Sequence, residues 1–72
     1  MSVSFEDTYP HIAEWVQVHG WIEIGQDEYS DSFVRALDIG GLVWEGESRY
    51  GTLDEALRAL EAGLAAWMEQ NL

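Results

Sequence analysis

Leu53, Leu57, Leu60, Leu64 and Trp67 recur at spacings of four, three, four and three residues, and no other feature constrains the chain as strongly. Apolar residues at that spacing line one side of an α-helix. Its start is marked as well. Thr52 stands three residues before Glu55, the spacing of a capping box, in which each side chain satisfies a backbone N–H of the first turn. Asp54 and Glu55 also suit the positive end of the helix dipole. A helix running from this box to about Gln70 is predicted. Ala56, Ala59, Gly63 and Ala66 flank the stripe and let a facing surface approach closely. A helix with a single apolar face needs a second layer to cover it.

The residues before it supply that layer. "WIEIG" at 21–25, "SFVRALD" at 32–38 and "LVWEG" at 42–46 are rich in β-branched and aromatic residues or alternate in polarity, as strands do. Ile39-Gly40-Gly41 lies between two of these runs. A phosphate-cradling loop would lead from a strand into a helix, but here a strand follows, so the glycine pair reads as a hairpin turn. Upstream, Thr8 and Pro10 resemble a cap and a first turn, Ile12, Trp15, Val16 and His19 follow helical spacing, and Gly20 suits a left-handed helix end. A helix over 9–19 is predicted. The rival is one long strand bent at Gly20, since Val16, Val18, Ile22 and Ile24 alternate.

The predicted fold is α+β in the order α-β-β-β-α: a three-stranded antiparallel sheet with two helices on one face. The alternative has four strands and one C-terminal helix. A single domain covers 1–72, with 1–7 as a loose arm. Alternation places Phe33, Arg35, Leu37, Leu42 and Trp44 against the helices, together with Ile22 and Ile24. Arg35 is the misfit in this set and is expected near a sheet edge beside a carboxylate. Trp21, Glu23, Val34, Ala36, Val43 and Glu45 fall on the open side, which makes them the candidate partner-binding residues. An apolar patch with an acidic rim is the signature of a protein interface. The competing reading folds Trp21 under the N-terminal arm against Phe5.

Composition narrows the function classes. The 72 residues include fourteen acids against three arginines and no lysine, for a formal net charge of −11. Such a surface repels phosphate backbones and anionic lipid, so neither direct nucleic-acid binding nor membrane binding is expected. The expected occupants of the patch are a basic protein partner or a second copy of the chain. Cysteine is absent, so disulfides and thiolate metal sites are excluded. No signal peptide or membrane span is visible, and a cytoplasmic protein is expected.

Chemistry-bearing motifs are sparse. His11 and His19 are eight residues apart, unlike the i, i+4 pair of a helical metal site. Asp27, Glu28 and Asp31 form an acidic loop without the alternation or the glycine that calcium loops use. No catalytic residue, cofactor or metal site is assigned. The first expectation is a non-enzymatic interaction or regulatory module. The alternatives are an antitoxin-like or nucleic-acid-mimicking inhibitor of a basic partner, and a subunit of an oligomeric enzyme.

Three resemblances accompany these readings. "GTLDEALRALEAGLAAWME" at 51–69 resembles the capped helix of HicB-type antitoxin domains through Thr52, Glu55 and Ala56, although the strand those domains place next has no counterpart here. The element order resembles the double-stranded-RNA-binding domain, but Leu53, Asp54 and Glu55 stand where that family carries lysines. The segment 20–46 is similar to that of small bacterial proteins of about this length, which implies a stand-alone domain and no particular activity.

Overall fold

The computed structural model describes residues 4–25 and 31–72. Helix α1 spans Phe5–Thr8 and α2 spans Pro10–Glu14; a π-helical turn, Trp15–His19, continues α2. Strands β1 (Gly20–Ile24), β2 (Val34–Asp38) and β3 (Gly41–Glu45) follow, and α3 (Leu53–Asn71) completes the described chain. The sheet is antiparallel throughout, in the order β1-β2-β3. The α+β class and the three-stranded sheet agree with the expectation from sequence.

Helix α3 forms as its capping box predicts. The Thr52 hydroxyl accepts from the Glu55 N–H at 3.1 Å, and the Glu55 carboxylate accepts from the Gly51 N–H at 3.1 Å. Its stripe is rotated slightly from the predicted one. Ala56, Leu60, Leu64 and Met68 are buried, Leu57 and Trp67 pack beside them, and Leu53 in the first turn is exposed. The hairpin turn is Ile39-Gly40. Gly40 donates its N–H to Asp38 Oδ1 at 2.8 Å, and Gly41 adopts φ +117°, a conformation that glycine reaches at no steric cost.

The N-terminal segment differs from the reading in three ways. The described part of the expected loose arm contains α1, capped by Ser4, whose hydroxyl accepts from the Asp7 N–H. Thr8 therefore ends α1 instead of capping α2, and Tyr9 takes the cap position. Gly20 is not a left-handed helix end. Its φ of −173° is extended, and it begins β1. Space is what requires glycine here, because a Cβ would lie 2.0 Å from the Leu37 carbonyl oxygen. The helix passes straight into the strand through the π turn, where the Gly20 N–H reaches back to the Trp15 carbonyl.

The face assignment needs the largest correction. Cross-strand partners share a face, and Ile22 pairs with Ala36, Ile24 with Val34, and Ala36 with Trp44. Val34 and Ala36 are fully buried in one cluster with Tyr9, Ile12, Trp15, Leu60 and Leu64. The helices therefore cover the face of Ile22, Val34, Ala36 and Trp44. Arg35 and Leu37, expected beneath the helices, lie on the other side. A bulge separates Leu42 from Trp44. Leu37 pairs with Leu42 while Ala36 pairs with Trp44, so Val43 is the extra residue and the alternation slips there.

Two substitutions test this core. Leu60→Ala should cost about 2–5 kcal/mol in urea unfolding, a large share of the roughly 5 kcal/mol that holds so small a domain. Gly63→Ala at a free helix site would gain about 1 kcal/mol from propensity. Here its Cβ would meet the Trp44 ring at 2.4 Å. Overpacking of that kind costs about 1–3 kcal/mol, so the melting temperature should fall. A rise would mean that Trp44 does not seat against α3.

Candidate functional site: the uncovered sheet face

The sheet face turned away from the helices carries two rows of side chains. Trp21 pairs with Leu37 and Leu37 with Leu42, which makes an apolar row across all three strands. Trp21 is 46% exposed and Leu42 52%. Glu23 pairs with Arg35 and Arg35 with Glu45, which makes a charged row beside it. Ile39, fully exposed at the hairpin tip, extends the apolar surface beyond the strands.

Arg35 organises the charged row. Its Nε donates to Glu23 Oε1 at 3.2 Å, and its two terminal nitrogens donate to the Ser32 carbonyl at 2.5 Å and the Gly25 carbonyl at 3.1 Å. The other Glu23 oxygen accepts from the Trp21 indole N–H at 3.2 Å. The guanidinium and the indole thus hold Glu23 from both sides and orient the Trp21 ring over the face. Arg35 has its expected carboxylate, but it stands on the central strand and not near an edge. Among the described residues Glu45 has no ion-pair partner.

Of the six residues assigned to an interface from sequence, Trp21, Glu23 and Glu45 lie on the uncovered face. Val34 and Ala36 do not. Both are fully buried beneath the helices. Val43, the bulge residue, is half-buried and packs against the core. Leu37, Leu42 and Arg35 belong to the face and were assigned to the opposite one. One signal could have found them. A guanidinium is rarely buried without a partner, so the set containing Arg35 belongs on the face that also carries Glu23 and Glu45. Phe5 does not cover Trp21, since its ring packs on Tyr9 at 5.0 Å, on the helix side.

The remaining titratable clusters tie the helices together. Glu61 on α3 accepts the backbone N–H groups of His11 and Ile12 at 3.0 Å, and its Oε2 lies 2.5 Å from His11 Nδ1. A side chain of α3 thus caps the start of α2, where Tyr9 offers no side-chain cap. His19 Nε2 meets Glu14 at 3.1 Å. Beside these pairs an open groove of about 570 Å³ runs between α2 and the end of α3, lined by His11, Glu14, Ala65, Met68, Glu69 and Leu72. Among the described residues no group of three or more His, Asp or Glu could hold a metal ion. Most of the acidic loop, residues 26–30, lies outside the described residues. No helix among them is long and apolar enough to cross a membrane.

Tyr9 makes the third tie. Its hydroxyl donates to Asp54 Oδ1 at 2.5 Å, and Asp54 Oδ2 also pairs with Arg58 Nε at 2.8 Å. The hydrogen bond to Asp54, reinforced by burial and by the carboxylate charge, raises the phenol above its ordinary value of 10.

Comparison of the chain with protein-family models, with curated proteins and with solved structures yields no match.

The Tyr9 tie carries a pH signature. A group whose folded pKa is raised gives stability that is complete below its unfolded value and is lost as pH rises through the folded value. Urea midpoints of the wild type should therefore fall above about pH 10. The fall should be smaller in Tyr9→Phe, which is already destabilised at pH 7. Parallel curves for the two proteins would show that the phenol does not hold its proton for Asp54.

Proposed function

We propose that this chain is a non-enzymatic protein-interaction module and that its contact surface is the sheet face that the described helices leave open. One observation carries this reading: the row of Trp21, Leu37 and Leu42 lies across the side of the sheet that the helices leave open. Exposed apolar rows framed by charge are characteristic of partner surfaces, and tryptophan is over-represented among residues that dominate binding. The ring of Trp21 is also held in place by Glu23, so little freedom remains to be lost on binding.

The acid excess favours a second reading, a mimic whose carboxylates cover a basic site on its target. The two differ in salt dependence. Contacts between exposed charges fade as the screening length shortens, and apolar contacts do not. The test is affinity capture from a lysate of the source cells, with wild type, Trp21→Ser and Leu42→Ser, each washed at low and high salt. A stoichiometric partner that survives high salt on the wild type and is lost from both variants is expected. Partners released by salt from all three proteins would favour the mimic. Retention on Trp21→Ser would overturn the face as the contact surface.

A further inference from the structure

The sheet has two edges, and they are built differently. On the β3 edge the bulge at Val43 interrupts the regular comb of backbone donors and acceptors. Bulges are among the devices that keep an edge from pairing with another chain, along with lysine, proline and inward-pointing charge. Strand β1 has none of these. It pairs with β2 in unbroken register from Gly20 to Ile24. Its one charge, Glu23, is already held by Arg35 and by the Trp21 indole.

The direction of the β1 backbone groups follows from its neighbours. Gly46 donates to the Val34 carbonyl at 2.9 Å, so Val34 addresses β3. Its partner across the β1–β2 ladder, Ile24, therefore turns its own N–H and C=O away from the sheet. The next residue, Gly25, turns inward and donates to the Phe33 carbonyl at 2.6 Å. Alternation then turns Ile22 outward with Ile24. Among the described residues no loop or side chain hydrogen-bonds to these outward groups. Apolar side chains flank the edge on both faces: Trp21 is 46% exposed on the open side and Ile24 49% on the helix side.

We infer that β1 accepts an extended segment of a basic partner protein as a fourth strand, so that the partner adds to the sheet edge and extends the apolar row of Trp21, Leu37 and Leu42 outward from Trp21. This rests on the interaction reading above and names its mode and chemistry. Backbone hydrogen bonds along the edge would supply affinity, and alternate side chains would supply specificity. The segment needs apolar residues beside Trp21, Ile22 and Ile24 and a lysine or arginine beside Glu23. Charge selects a foreign segment over a second copy, because a copy brings its own −11 to the contact.

The probe is the peptide acetyl-Lys-Val-Lys-Val-Leu-Lys-amide, titrated into the isotope-labelled full chain and followed by NMR. Amide exchange at Ile22 and Ile24 should slow on binding, with no change at Leu42 and Val43. The same peptide with glutamate in place of lysine should not bind. Proline is compatible with an edge position whose N–H points outward, so Ile24→Pro should keep the fold, checked by circular dichroism, and lose about tenfold in affinity. Exchange in the wild type needs no variant and decides the matter if Ile24→Pro does not fold. Unchanged exchange at Ile22 and Ile24, or equal binding of the glutamate peptide, would overturn strand addition to a basic segment. Affinity lost in Trp21→Ser but kept in a folded Ile24→Pro would retain the face and reject the edge. Sedimentation as a dimer, with Ile22 and Ile24 already protected, would assign the edge to a second copy and overturn the inference.

Discussion

The indole of Trp15 is the constraint on which the other contacts depend. The side chain is fully buried, and its N–H donates to the carbonyls of Leu37 at 3.1 Å and Trp21 at 3.3 Å, two residues that face each other across β1 and β2. Its ring meets Trp67 of α3 edge-on at 5.3 Å. One side chain therefore joins the N-terminal helical segment, two strands and the long helix. Truncating a buried tryptophan typically costs about 3–5 kcal/mol, comparable to the whole stability of a domain this small. The same contact explains the local oddities. The π turn carries the chain into β1 within a few residues of Trp15, and Gly20 keeps the space that a Cβ would take from the Leu37 carbonyl.

With cysteine absent, the fold relies on close approach and on polar ties between helices instead of covalent staples. Gly63 allows the Trp44 ring to lie flush on α3. Glu61 and Asp54, both on α3, reach back to the start of α2 and to Tyr9. These acids belong to the same surplus that gives the chain its net charge of −11, yet they serve as hydrogen-bond acceptors for groups that would otherwise lack partners. Little of this was legible in sequence. Glu61 lies fifty residues from His11, and nothing in its neighbours distinguishes it from the other glutamates of the helix.

The two faces of the sheet show where pattern reading reaches its limit. Ile22 and Ile24 were assigned correctly, because β1 alternates without interruption. The run 33–37 has apolar residues at both sets of alternating positions: Val34 and Ala36 at one, Phe33 and Leu37 at the other. Bulk alone favours the larger pair as core, but α3 lies so close that small residues fit beneath it. In β3 the bulge at Val43 puts Leu42 and Trp44 on opposite faces, although their spacing of two would place them together. Arg35 carried the information that bulk obscured, since its largely buried guanidinium needs the carboxylate and carbonyl partners that this face supplies.

By itself the sequence determined the elements that rest on local chemistry: the capped helix α3, a glycine-containing hairpin between the second and third strands, three strands in antiparallel order and the α+β class. Each depends on residues close together in the chain, such as Thr52 with Glu55 or Asp38 with Gly40. It also determined the charge that makes a basic partner the favoured occupant. Tertiary structure alone decided which side of the sheet the helices cover, where the bulge falls, and so which residues form the exposed row. Those outcomes turn on how closely Trp15, Trp44 and Gly63 pack, and packing distance between remote segments leaves no periodic mark in a sequence.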